Sequence, residues 1–290
     1  MIRRSTDLLA RANALPPISG ADLTTLCDFL YARTGMQFGE SKRYYIDRRV
    51  ADRMAHKHLT KFADYYALLR AEAGEAEQLI NSFTVNETYF YREDHQLACL
   101  SQSILPEIIR SKKPGDKIRI WSVPCSSGEE PYSIAIWLLE NWALVDAYNV
   151  EIVGSDIDTD IVAEAVEANY GQRALMRLPP ELVERYFEPV ENGRVRLLKD
   201  LRESVTFTAV NISDPTSVAR QGRFDVIFCR NLLIYFDEAA RIRCMRSLFD
   251  SLTPGGYILL GHSESMSRIS ERFVTRRFPE AIVYQRPDQG

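Results

Sequence analysis

The chain has 290 residues, 46% of them hydrophobic and 26% charged, with a formal net charge of -4. That length exceeds the need of one core and predicts two domains. Composition excludes disordered and fibrous classes, no apolar run is long enough to span a bilayer, and the acidic balance argues against a nucleic-acid binder.

The first 17 residues read as a mobile lead ending in Pro16-Pro17. They carry basic residues but no apolar stretch of the secretory kind, so a cytoplasmic protein is expected, with no membrane insertion. The five cysteines form no CxxC pair and the four histidines are scattered, which predicts reduced thiols and no metal site.

A first helix is predicted after Ser19, where Ser19 and Asp22 make a capping pattern, with Gly35 as its stop. A second starts at Ser41 and lines up Ile46, Val50 and Met54 on one edge. Residues 41–61 carry Lys42, Arg43, Arg48, Arg49, Arg53, Lys57 and Lys61 against only Asp47 and Asp52. A third helix runs from Phe62 through Tyr66 and Leu69, and a fourth from Glu75 to Phe83. These elements predict an all-helical N-terminal domain, with its linker, over residues 1–92.

A helix to about Arg110 and a turn at Lys112–Asp116 lead into alternating strands and helices over residues 93–290. Strands are predicted at Ile118–Val123, Val150–Gly154, Val205–Val210, Phe224–Cys229 and Tyr257–Leu260. Helices are predicted at Glu129–Asn141, Thr159–Asn169 and Glu238–Leu252. This alternation predicts an α/β fold with a Rossmann-like parallel sheet covered on both faces. Residues 171–203 are too long for a loop and read as a small inserted antiparallel subdomain, with a hairpin at Asn192-Gly193. The end, FVTRRFPEAIVYQR, reads as a terminal antiparallel hairpin, typical of methyltransferase sheets and unusual in dehydrogenases.

The first strand of this sheet runs into Pro124-Cys125-Ser126-Ser127-Gly128-Glu129-Glu130. The second ends in Asp156 and Asp158. Small residues let a ligand approach the backbone, and a carboxylate ending the second strand can accept hydrogen bonds from both ribose hydroxyls of an adenosine. Each part has an ordinary alternative: the glutamates complement a helix N-terminus, and Asp156 caps the next helix. Together with the terminal hairpin they favour a nucleoside pocket. The double glutamate would repel a pyrophosphate and lacks the G-x-G-x-x-G setting. It suits S-adenosylmethionine, which carries a sulfonium and an ammonium and no phosphate.

The strings Thr84–Arg92 (TVNETYFYR), SSGEEPYSIA, GSDIDTDI, FDVIFCRNLLIYFD and LTPGGYILLGHSES occur in order. In them the chain resembles the CheR family of chemotaxis receptor methyltransferases, from about Gly20 to Arg286. The resemblance implies methyl transfer from S-adenosylmethionine to glutamates of methyl-accepting chemoreceptors, leaving S-adenosylhomocysteine. It implies cofactor contacts at Asn86, Thr88, Arg92, Glu129, Asp156, Asn211, Ile212, Asn231 and Leu232, and an active-site tyrosine at Tyr235. The plain alternatives are a core ring at Tyr235 and a turn at Asn211 before Asp214-Pro215. Members that tether to a receptor C-terminal pentapeptide carry a glycine-containing extension in the inserted hairpin; residues 187–195 are compact here, so tethering is not expected. Arg92 and Tyr235 are expected to hold the acceptor carboxylate. Lys42, Arg49, Arg53 and Lys57 share one helical face, expected to dock glutamate-rich receptor helices. The readings set against this one are a non-catalytic S-adenosylmethionine-binding signalling adaptor and an RNA or small-molecule methyltransferase.

Overall fold

The computed structural model describes residue 12, residues 15–266 and residues 269–288. Residues 1–11, 13 and 14 of the expected lead lie outside these. The chain divides into two compact units, Met1–Val85 and Asn86–Gly290.

The first unit is helical. Helix α1 (Gly20–Thr34) starts at Ser19, whose Oγ accepts from the Asp22 amide at 3.2 Å and donates to the Asp22 carboxylate at 2.8 Å. A cap of this kind contributes about 1 kcal/mol. The helix stops at Gly35, which adopts φ 70° and donates its N–H to the Tyr31 carbonyl. Helices α2 (Arg43–His56), α3 (Phe62–Ala71) and α4 (Ala73–Phe83) follow. Leu26, Leu30, Ile46, Val50, Tyr65, Leu69 and Leu79 are buried in this unit. The Ile46, Val50 and Met54 row of α2 faces inward, as its four-residue spacing requires.

The second unit starts at Asn86, not after Arg92 as expected. Residues 86–92 belong to it because its groups pair with theirs. Asn86 Nδ2 donates to Asp158 at 2.9 Å, the Phe90 amide to the Ala174 carbonyl at 2.8 Å, and the Tyr91 amide to Ser133 Oγ at 3.0 Å. The Phe90 ring meets Tyr170 and Phe187 edge-on. Helix α5 (Asp94–Cys99) then continues through a wide turn at Leu100–Ile104 into α6 (Leu105–Ile108).

A seven-stranded sheet organises this unit, in the order β6-β2-β1-β7-β8-β10-β9. Its strands are β1 (Lys117–Ser122), β2 (Asn149–Asp156), β6 (Val205–Ala209), β7 (Phe224–Cys229), β8 (Leu252–Leu260), β9 (Val274–Arg277) and β10 (Ile282–Gln285). The first five in spatial order are parallel, and β10 is antiparallel to both its neighbours. The terminal hairpin therefore folds back so that β10 lies between β8 and β9. Strand β8 starts at Leu252, five residues earlier than expected. A bulge between Phe224 and Val226 places the turn-like residues Thr253–Gly256 inside the strand. Helices α7 (Glu129–Asn141), α8 (Thr159–Glu167), α9 (Gln172–Leu175), α10 (Pro180–Tyr186), α11 (Lys199–Glu203), α12 (Pro215–Ala219) and α13 (Glu238–Ser251) complete the unit.

Helix α8 ends two residues short of expectation because Asn169 and Tyr170 form β3, paired with Val195 and Arg196. With β4 (Phe187–Pro189) and β5 (Val195–Leu197), β3 makes a separate antiparallel sheet in the order β3-β5-β4. Its turn carries Asn192 at φ 61° and Gly193 at φ 69°, the left-handed pair that an Asn-Gly hairpin uses.

The main core is aromatic and aliphatic. Ile120, Trp121, Phe228 and Leu259 are fully buried. Trp121 stacks on Phe224 and donates its Nε1–H to Ser155 Oγ at 2.8 Å, so its one polar atom is paired inside the core. Strand order reverses at β1, which has β2 on one side and β7 on the other. Open parallel sheets bind ligands at such a reversal, beyond the carboxyl ends of the strands. Among the described residues no helix is long and apolar enough to cross a membrane.

Candidate active site

The loop after β1 fixes one wall of that crevice. Ser126 adopts φ 49° and Gly128 φ 92°. A Cβ at Gly128 would stand 3.1 Å from Ala165 Cβ and from the Tyr132 ring, and 3.2 Å from Phe207. Left-handed backbone and tight space together require glycine there. Among the described residues, Ser126 Oγ is buried with no hydrogen-bond partner. Burial also pushes the Cys125 thiol well up, which keeps it protonated and no nucleophile.

Asp156 ends β2 and is 4% exposed. The Ser126 amide donates to its Oδ2 at 2.9 Å and the Asp158 amide to its Oδ1 at 3.1 Å. The carboxylate keeps a lone pair for a ligand. Desolvation pushes this carboxyl up to about 6, against the hydrogen bonds from the Asp158, Ser126 and Ile157 backbone. The helix cap foreseen as the alternative role of Asp156 falls to Asp158, which accepts from the Asp160 and Ile161 amides at 3.1 Å. Its other oxygen takes Asn86, so residue 86 is tied to this edge of the sheet.

The two glutamates that open α7 do different work. Glu129 is buried beside the loop, accepts from Ser127 Oγ at 2.7 Å, and has its carboxyl raised by desolvation. Glu130 is neutralised by Arg230, Nη1 to Oε2 at 2.7 Å. The expected repulsion of phosphate therefore rests on Glu129 and Asp156, not on the double glutamate.

The opposite wall follows β7 and β8. Asn231 adopts φ 58°, and its amide donates to Glu264 Oε2 at 2.8 Å. Glu264 also accepts from the Leu233 amide at 2.7 Å and the Gly261 amide at 2.9 Å. One carboxylate thus holds the loop carrying Asn231, Leu232 and Tyr235 against the end of β8. Tyr235 is half-buried in the turn Leu233–Tyr235 and Leu232 is half-buried before it. After β6, Asn211 accepts the Ser213 amide at 3.0 Å in a side-chain-closed turn, and Ile212 is buried. Thr88 and Arg92 are half-buried on the segment that Asn86 anchors. Arg92 donates to the Glu87 carbonyl at 2.8 Å and lies over the Tyr89 ring.

All the expected cofactor positions therefore lie on segments at the carboxyl edge of the sheet. Sequence reasoning missed Glu264 and Arg230 as site-builders, and it aimed Glu130 at the ligand, whereas Glu130 pairs with Arg230. Glu264 stood inside a family string, but nothing local marks a residue whose partners at Asn231 and Leu233 lie about thirty positions upstream.

The four basic residues of the expected docking face sit in the first unit. Arg53 grips the buried Glu75 with two hydrogen bonds of 2.9 and 2.6 Å, and Lys57 pairs with Glu75 at 3.2 Å and with Glu72 at 3.6 Å. Arg49 stacks on Tyr45 and donates to the Ser82 carbonyl. Lys42 is exposed, 5.6 Å from the Phe38 ring centre. The charge of Arg53 and much of that of Lys57 is thus committed inside the unit. A groove of about 520 Å³ on the same unit is lined by Tyr44, Tyr45, Arg48, Arg49, Asp52 and Ser82.

A parallel sheet closed by an antiparallel hairpin, with a buried acid at the end of β2 beside the glycine-bearing loop after β1, has the form of a nucleoside-binding sheet. That combination defines an S-adenosylmethionine-dependent methyltransferase. The comparisons agree. Residues 86–282 match the model described as "CheR methyltransferase, SAM binding domain", and residues 21–84 match "CheR methyltransferase, all-alpha domain". The chain is 44% identical over 275 residues to Chemotaxis protein methyltransferase 2 of Vibrio cholerae serotype O1, covering 94% of this chain and 95% of that protein. It is 36% identical over 280 residues to the Chemotaxis protein methyltransferase of Klebsiella aerogenes (94% and 93% covered), and 34% identical over 276 residues to that of Vibrio parahaemolyticus (92% and 98%).

The chain belongs to the CheR methyltransferase family. It is a protein-glutamate O-methyltransferase, using S-adenosylmethionine to methylate glutamates of chemoreceptors.

Proposed function

We propose that Asp156 and Glu129 hold the cofactor, with Asn86, Thr88, Asn211, Ile212, Asn231 and Leu232 lining its site, while Arg92 and Tyr235 hold the acceptor carboxylate. The observation that carries the second assignment is the charge state around Arg92. Glu87, its neighbour, pairs with Arg173, and Glu93 pairs with Arg230 and His262. Among the described residues Arg92 has no carboxylate partner; it engages a neutral carbonyl. An arginine left unpaired among acids is placed to receive an incoming anion.

When bound, S-adenosylmethionine supplies a methyl group on a positively charged sulfur. The acceptor glutamate, with an ordinary pKa of about 4.3, is already ionised near neutral pH and needs no general base. Arg92 and Tyr235 then contribute position rather than proton transfer. Arg92 must hold the carboxylate loosely, because a two-pronged ion pair would blunt its nucleophilicity. The assay is methyl transfer from labelled S-adenosylmethionine to a receptor cytoplasmic fragment, with base-labile label recovered on glutamate. Arg92→Ala and Tyr235→Phe are each expected to lower turnover by roughly tenfold or more at saturating cofactor. Wild-type turnover in both variants removes this assignment.

The receptor is met in the cytoplasm through its helical, glutamate-rich segment. In this reading Lys42 and Arg49, joined by Arg48 and Tyr44 of the groove, attract that segment, whereas Arg53 and Lys57 serve α2 itself. The inserted hairpin, with strands of three residues, supports recognition without a pentapeptide tether. Exposed charges are screened over about 10 Å at 0.1 M salt. The KM for a receptor fragment is therefore expected to rise with salt, and by roughly three- to tenfold in Arg48→Ala/Arg49→Ala, with kcat unchanged. A salt-insensitive KM would rule the docking face out.

A further inference from the structure

Arg92 sits in an unusual backbone. Tyr91 before it adopts φ 58° and Glu93 after it φ 56°. Two side-chain-bearing residues in the left-handed region, separated by a single residue, persist only where the surroundings over-determine them. The Tyr91 amide is held by Ser133 of α7. What holds the other half of the turn is Arg230, the residue that follows β7 and precedes Asn231.

Arg230 is 5% exposed. Its Nη2 donates to the Arg92 carbonyl oxygen at 2.8 Å and lies 3.4 Å from Glu93 Oε1. Its Nη1 donates to Glu130 Oε2 at 2.7 Å, and Glu130 Oε1 accepts from Ser122 Oγ at 2.8 Å. Gln96 donates to Glu93 Oε2 at 2.9 Å and to the Leu260 carbonyl at 2.8 Å, anchoring Glu93 from the far side. One planar guanidinium thus joins the strained turn to the first turn of α7 and the end of β7.

We infer that Arg230 is a positioning residue for Arg92, fixing the Tyr91–Glu93 turn so that the Arg92 guanidinium is presented to the acceptor carboxylate. This rests on the role proposed above for Arg92. Arginine is needed because its rigid fork serves two oxygens on different elements at once; the lysine ammonium keeps the charge but is a single point. Lysine therefore leaves Glu130 and Glu93 a counter-charge while it loosens the turn.

The test is a double-mutant cycle on the full chain with a receptor fragment. Arg230→Lys is expected to lower kcat by roughly tenfold, and by no more than Arg92→Ala does, while the calorimetric Kd for S-adenosylhomocysteine changes by less than about threefold. Arg230→Lys/Arg92→Ala should be no slower than Arg92→Ala alone, because both changes remove the same function. Additive losses, an unchanged kcat in Arg230→Lys, or an equal loss of S-adenosylhomocysteine affinity would each overturn the inference. Should Arg230→Lys not fold, Glu93→Gln keeps shape and removes one contact; it should show a smaller kcat loss with the same absence of additivity, and additive losses there would overturn the inference equally. An Arg92→Ala single variant at wild-type rate defeats the Arg92 assignment itself, and so is told apart from a failure confined to Arg230.

Discussion

Asp156→Ala is expected to weaken S-adenosylhomocysteine binding by at least roughly 100-fold and to abolish measurable methyl transfer, since hydrogen bonds to an ionised group are worth about 1.5–3 kcal/mol each. The variant also strands the Ser126 and Asp158 amides that now point at the carboxylate. Protonation gives a second, independent reading of the same group. Its folded value is about 6, above the ordinary 3.8. In the window between those values the folded chain holds a proton that the unfolded chain does not, so this group's contribution to stability falls as pH rises through the window. Ribose hydroxyls need the ionised acceptor, so affinity should run the opposite way and fall as pH drops below about 6. Calorimetry from pH 5 to 8 measures this. An Asp156→Ala chain that binds within threefold of wild type would refute the cradle.

Arg53→Ala is expected to destabilise the helical unit by at most about 3–5 kcal/mol, the cost of a wholly unpaired buried charge, since Lys57 and Tyr65 remain beside Glu75. Glu75 is 2% exposed and accepts from Arg53, Lys57 and Tyr65, whose hydroxyl donates to it at 2.9 Å. Burial raises the Glu75 carboxyl, but these partners outweigh it and hold it below its ordinary value. A depressed carboxyl stabilises above its unfolded value and loses that contribution as pH falls through its folded one, so acid should weaken this unit. Replacing the pair together, as Arg53→Met/Glu75→Leu, should recover much of the loss. Urea unfolding measures both. If Arg53→Ala instead kept full stability and raised the KM for a receptor fragment, Arg53 would belong to docking after all.

Arg53 also shows where sequence reading runs out. Spacing expected Lys42, Arg49, Arg53 and Lys57 on one helical face, because helix geometry is local. Arg49 and Arg53 lie on α2, one turn apart, while Lys42 and Lys57 flank its two ends. Spacing did not reveal that Glu75, 22 residues beyond Arg53, reaches that face, because pairing across helices is set by packing. The same division holds elsewhere. The alternation of strands, the capping at Ser19 and the Asn-Gly hairpin are local and were readable. The early start of β8 was not, since Thr253-Pro254-Gly255-Gly256 has turn chemistry and only the bulge against β7 makes it strand. Asp156 was legible from its position after a strand, but its backbone partners, and the clamp at Glu264, depend on loops that meet only in three dimensions.

The placement of β10 has a consequence for biosynthesis. Chain order is β8, β9, β10, yet β10, made after the other two, fills the interior slot between them. Until then β9 has no neighbour and the outer edge of β8 is bare. The nascent enzyme thus carries an open, adhesive sheet margin until β10 is made, and a chain cut short before Ile282 would keep it for good.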